Sequence, residues 1–399
     1  MSQFLERSSR TVRAVVAVAV TLGVVSACGS DSEGGDPATR DADAVVIVAD
    51  THANAPAPDL DKSTRDLLGS VMRNGGLVEL VRVSARPELV ELEGFREVTG
   101  TDAGKKMIVR RNLEVIDRAL DVGSAHDGAD DLEAISIAAD SIRTRTARHP
   151  TIVVTGSGLS DSGRLSFTSP GMLTASPREV TEYLASTGAL PDLKGITVRL
   201  VGLGYVAGPQ QLLDATQRAN VVAIWRGVLE AAGASVVVVP DPRTDGAVPT
   251  QRTVRPVDVP VIATPAMCTT REIVFTDQSQ VSFLPETTTF VDSESAATAL
   301  TPIARWLAED ADRTARVRGT TADDRGDRAR LVGLGQRRAD AVAQRLSGDG
   351  ARATQITAVG VGADFPEYVR PDSDPVTGLL LPGPASLNRS VRITLVDPC

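Results

Sequence analysis

Aromatic side chains are scarce: Phe, Tyr and Trp make up 3% of the 399 residues. That excludes rows of base-stacking rings and a broad aromatic sugar-binding face. Histidine and cysteine occur three times each, and His52, His126 and His149 stand far apart with no motif around them. Lysine is almost absent, four against thirty-eight Arg, which reflects the codon bias of a GC-rich genome. Net charge is −9, so nucleic acid is not expected as a partner. What remains is a globular balance, 42% apolar and 23% charged with 34 Gly and 23 Pro, and length for two or three domains.

The first thirty residues carry an address. Arg7, Arg10 and Arg13 precede the apolar run Ala14–Val25, too short for a bilayer span of ~20 residues but suited to a signal peptide. Val25-Ser26-Ala27-Cys28 ends the run and resembles the lipobox of bacterial lipoproteins. The resemblance implies removal of residues 1–27 and lipidation (a palmitate-type anchor) at Cys28; an ordinary secretory cleavage site is the alternative. Export makes Cys268 and Cys399 a candidate disulfide, the alternative being two free thiols. That bridge would close a loop of ~130 residues, worth up to ~5 kcal/mol in the loop-entropy picture.

Polar, Gly-rich residues 28–43 read as a flexible tether, and 240–267, with six prolines, as a semi-rigid linker that no helix can occupy. Two folded blocks remain, 44–239 and 268–399. In the first, β-branched runs at 44–49, 78–83, 151–154, 196–203 and 235–239 alternate with helix patterns at 60–73, 104–121, 130–145, 177–187 and 210–232. This predicts a doubly wound α/β domain with a mainly parallel sheet. The second block reads as α+β: a strand region at 273–283, then a helix carrying Ala296, Leu300, Ile303 and Leu307 on one face. Pro302 should kink that helix or mark its start. A strand at 315–319, a helix from about Gly335 and strands at 355–361 and 390–396 complete it.

The segment Gly319-Thr-Thr-Ala-Asp323-Asp-Arg-Gly326 and the run Leu334-Gly-Gln-Arg-Arg338-Ala339 stand out. With Asn388-Arg389-Ser390-Val391 they resemble the OmpA-like peptidoglycan-binding domain, over roughly 270–399. There a G-H-T-D-x-x-G loop ends a strand, and an Arg fifteen residues after the Asp lies on the next helix. Together they clamp the zwitterionic end of diaminopimelate in the peptidoglycan stem peptide. The resemblance assigns that role to Asp323 and Arg338, with Asn388 and Arg389 near the ligand. A carboxylate facing an ammonium, and a guanidinium fork facing a carboxylate, suit such a ligand. Thr320 replaces the family's His, one residue is inserted before Asp323, Leu331 replaces an Asn, and Leu284 stands where an acid follows the first strand.

The first block resembles a degenerate von Willebrand factor A-type domain. Asp50-Thr51-His52-Ala53-Asn54 stands where that family has a D-x-S-x-S metal loop, and Thr155-Gly156-Ser157 where another ligand Asp belongs. Without those hard oxygen ligands no metal is expected. Gly202-Leu-Gly204 reads as a strand-to-helix turn and not a dinucleotide loop, because it comes late in the strand order and Pro209 follows. Ser157 sits in no nucleophile elbow, and no carboxylate pair can be singled out. The expectation is therefore a non-enzymatic envelope lipoprotein without cofactors. It would be anchored in a membrane at Cys28, grip peptidoglycan non-covalently through its C-terminal block and recruit an envelope protein through its first block. A ligand- or protein-binding scaffold that has lost wall affinity is the alternative.

Overall fold

The computed structural model describes residues 42–396, apart from 146, 244–245, 261–271 and 278. Cys28, Cys268 and Cys399 lie outside the described residues, and with them the expected anchor and disulfide.

Apolar runs become a six-stranded sheet. Strands β1 (Ala44–Ala49), β2 (Leu77–Arg82), β4 (Pro150–Thr155), β5 (Thr197–Val201) and β6 (Ser235–Val239) are parallel. Short β3 (Glu88–Val90), which the sequence does not announce, pairs antiparallel with β2. The order across the sheet is β3-β2-β1-β4-β5-β6. All six residues of β1 are buried, and alternate side chains serve opposite cores. Val46 and Val48 join Ile135 of α3 (Asp131–Arg143), Val180 of α4 (Pro177–Ser186) and Trp225 of α5 (Ala215–Ala231). Val45 and Ile47 join Leu68 of α1 (Lys62–Arg73) and Ile116 of α2 (Asp102–Leu120). Helices on both faces explain why these strands read as unbroken apolar runs. Aspartates open the helices: Asp61, Asp130 and Asp214 accept the N–H of Ser63, Glu133 and Gln217. Pro177 starts α4, where a missing N–H costs nothing.

The described part of the proline-rich segment packs on the first block. Residues 246–260 lie along the first block, with Val248, Val254 and Val257 buried. The N–H of Thr253 donates to Asp127 (2.8 Å), that of Arg255 to Asp161 (2.8 Å) and that of Val257 to Gln210 (2.7 Å). Proline forbids helix here, but valines placed between the prolines still reach apolar surface, and side chains satisfy the extended backbone.

In the second block β7 (Glu272–Thr276), α6 (Ser293–Glu309), β8 (Thr314–Thr320), α7 (Arg328–Gly348), β9 (Ile356–Gly362), α8 (Pro382–Asn388) and β10 (Ser390–Val396) follow in order. The sheet runs β7-β10-β8-β9, with β10 antiparallel to both neighbours and β9 parallel to β8. Helix α6 starts at its Asp292 cap and continues through Pro302, because Leu300, Ile303 and Leu307 hold its buried face on the sheet. Helix α7 starts two turns earlier than expected: Asp327 caps it, and Leu331 and Leu334 extend the buried stripe. Its closeness to the sheet needs glycine. A Cβ on Gly319 would lie 1.9 Å from the Gly335 carbonyl, so β8 and α7 touch backbone to backbone one turn before Arg338.

The two blocks meet where α8 crosses the turn Met172–Thr174. Gly171, at φ +79°, and Gly383 make the approach: a Cβ on either would come within 2.3–2.4 Å of a carbonyl oxygen opposite. Ser386 Oγ donates across the contact to Gly171 O at 3.2 Å.

Candidate functional site

Arg338 is a buried charged group of the second block. It projects from α7, is 5% exposed, and faces a cavity of about 340 Å³. Its Nε donates to Thr287 O (3.2 Å), and its guanidinium lies 5.3 Å from the centre of the Phe283 ring. Burial lowers its pKa, and the nearby charges of Asp277 and Glu286 partly offset this. Among the described residues no carboxylate forms an ion pair with it.

Arg389, just ahead of β10, lines the same cavity. Its Nε donates to Asp277 (2.5 Å) and its Nη2 to Glu179 of α4 (2.6 Å). Burial disfavours its charge, but the Asp277 and Glu179 carboxylates outweigh that and raise its pKa. Burial likewise pushes the Asp277 carboxyl up, against the pull of Arg389. Asp277 comes directly after β7, on the cavity wall. Leu284, where the resemblance puts that acid, is 44% exposed. Reading 273–283 as one strand hides Asp277; the run Ile-Val-Phe-Thr followed by Asp is the signal that could have found it.

Asp323 does not stand on the cavity wall; its neighbour Asp324 does. The Asp323 N–H donates to Tyr368 Oη (3.0 Å) and Asp372 Oδ2 (2.9 Å), while its carboxylate accepts the Arg325 N–H. Asp324 accepts the Gly326 N–H and pairs with Arg330. Asn388 does not line the cavity. It is fully buried, and its amide accepts from Val369 N (2.8 Å) and donates to Val369 O (3.0 Å) and Asp372 (3.1 Å). Asp372, unremarked in the sequence, therefore gathers the Asp323 loop, Tyr368 and Asn388 on one oxygen. Thr320, in place of the family's His, is buried and bonded to Asn388 O and Ser390.

At the C-terminal ends of β1 and β4, Asp50 accepts both the N–H and Nδ1 of His52 (3.0 and 2.8 Å), and Ser160 donates to Asp131 at 2.6 Å. These groups are buried. Among the described residues no cluster of three or more His, Cys, Asp or Glu is arranged for a metal, and no helix is long and apolar enough to cross a membrane.

Residues 282–375 match the OmpA family. The matched stretch contains Asp323 and Arg338 and excludes Asp277 and Arg389. Similar solved structures include the peptidoglycan-associated lipoprotein from Burkholderia pseudomallei, 23% identical over 34% of this chain and 96% of that one, with a TM-score of 0.23. The cell wall anchor of the T6SS from Pseudomonas aeruginosa is 19% identical over 31% of this chain and 79% of that one, TM-score 0.24. The periplasmic domain of Helicobacter pylori MotB is 15% identical over 31% and 80%, TM-score 0.25. No curated protein matches the chain.

Proposed function

We propose that the second block binds peptidoglycan by the zwitterionic end of its diaminopimelate, and that the chain ties a membrane to the cell wall. One observation carries this: a buried arginine of the OmpA-family segment, Arg338, faces a cavity and makes no ion pair among the described residues. A fork of N–H donors in that setting suits a planar carboxylate better than water does. The ligand ammonium would meet Asp324 and Asp277 on the same wall, while Asp323 shapes the loop through its backbone. The lipid anchor at Cys28, the Cys268–Cys399 bridge, the extracytoplasmic location and an envelope protein held by the first block belong to the same proposal.

Arg389, already holding two carboxylates, favours the competing reading of a scaffold without wall affinity. Co-sedimentation of the full chain with purified diaminopimelate-type peptidoglycan separates the two. Wild type should pellet, and Arg338→Ala, still folded by circular dichroism, should lose at least roughly tenfold in affinity, the scale of one charged hydrogen bond. Folded wild type that stays in the supernatant at every concentration overturns wall binding in favour of the scaffold.

A further inference from the structure

The cavity in front of Arg338 is not walled by the second block alone. Ser176, Arg178 and Glu179, from the start of α4 in the first block, form part of its lining. Glu179 reaches Arg389 at 2.6 Å, and both side chains are mostly buried, at 27% and 15% exposure. Asp277 holds the other side of the same guanidinium. A carboxylate on an arginine fork is the chemistry that a stem-peptide carboxylate would use there.

We propose that α4 closes the wall-binding pocket, with Glu179 acting as a built-in competitor for Arg389, so that peptidoglycan binds tightly only when α4 withdraws. This rests on the reading of the cavity as a diaminopimelate site. Asp277 makes release tolerable, since Arg389 keeps a partner when Glu179 leaves. Apart from the close backbone approach of Gly171 and Gly383, the contact is polar and loosely filled. Tyr183 Oη donates to Asp374 at 3.0 Å, Ser386 bonds to Gly171, and a second cavity of about 310 Å³ remains between Met172, Val180 and Leu184 on one side and Pro371, Leu381 and Pro382 on the other. Polar ties around unfilled apolar space mark an interface that opens more readily than a packed core. A tethered carboxylate acts at an effective concentration in the millimolar range, enough to hold off a weak ligand without excluding a polymer that offers many stem peptides.

The test measures wall affinity of the full chain by peptidoglycan pelleting for wild type, Glu179→Gln, Tyr183→Phe, Arg338→Ala and the double variant Glu179→Gln/Arg338→Ala. Glu179→Gln should bind roughly tenfold tighter than wild type, the scale of one charged hydrogen bond. Tyr183→Phe lies outside the Arg338 cavity and should tighten binding by a smaller factor. Arg338→Ala should abolish the gain in the double variant. If Arg338→Ala weakens binding but Glu179→Gln and Tyr183→Phe bind no tighter than wild type, the closure is overturned and the wall-binding reading stands. If folded wild type does not pellet at any concentration, the wall-binding reading fails and takes the closure with it.

Discussion

The Glu179 carboxylate lies 2.6 Å from Nη2 of Arg389, a residue 210 positions away in the chain. Asp277 takes Nε of the same guanidinium, so one cation neutralises two carboxylates contributed by two blocks. Arg389→Ala would leave those carboxylates facing each other with little water. Breaking a buried pair from the cation side costs about 3–5 kcal/mol, and partial exposure here places the loss at the lower end. The urea midpoint of the variant should fall accordingly, while Arg389→Lys recovers part of the loss. A midpoint unchanged by Arg389→Ala would mean the bridge contributes nothing to stability.

A second stability effect sits in the first block. Asp131 is fully buried; burial, then the charge of Asp50, push its carboxyl up to about 7, with Asp130 adding to the shift and Ser160 and His52 opposing it. An unfolded Asp titrates near 3.9. Between about 4 and 7 the native state therefore keeps a proton that the unfolded chain has released, and stability falls as pH rises through that window. His52 acts in the same direction at higher pH. Burial lowers its pKa, but the Asp50 hydrogen bond and charge outweigh that and raise it, so its contribution is full below about 6.5 and lost above the raised value. Asp131→Asn removes the first effect and keeps a polar partner for Ser160. The melting temperature of the variant minus that of wild type should increase between pH 5 and pH 8; a flat difference would remove Asp131 as the source.

Asn388 offers a contrast between building a site and binding at it. Its amide closes a two-way bond with the Val369 backbone and reaches the Asp372 oxygen that also receives the Asp323 N–H. Asn388→Ala orphans buried backbone groups, at a cost of about 2 kcal/mol. Thermal unfolding should show that loss. The wall affinity of the protein that remains folded should stay within about twofold of wild type, since no atom of Asn388 faces the cavity. A large selective loss of affinity at full stability would restore it as a ligand contact.

The parts of this architecture visible in the sequence are those governed by local pattern. β1, β4 and β6 are short β-branched runs, and they lie where that pattern puts them. Arg338 is singled out by its spacing from the loop Asp, and it does occupy the cavity. The loop Asp itself does not. Asp324 reaches the wall instead, and Asp323 turns its N–H to Asp372, a partner 49 residues on that no spacing rule names. The strap at 246–260 is hidden for a related reason: prolines forbid helix but say nothing about which surface an extended chain covers. Glu179 has no local signature, because its significance comes from a contact between blocks.

That contact can be loosened without touching a charged group. Gly383 lies in the first turn of the seven-residue α8, and a Cβ there would lie 2.4 Å from Pro170 O and 3.2 Å from Met172 N, backbone atoms that cannot swing aside. Gly383→Ala must push the two blocks apart by a fraction of an ångström or strain them, at about 1–3 kcal/mol. Because α8 leads directly into Arg389, a displaced contact also draws Glu179 away from its guanidinium. The variant should therefore melt lower than wild type yet bind peptidoglycan more tightly, a pairing that simple destabilisation of the binding block does not produce. Lower stability accompanied by equal or weaker wall binding would show that the approach of Gly383 to Pro170 supports the fold and does not hold the pocket shut.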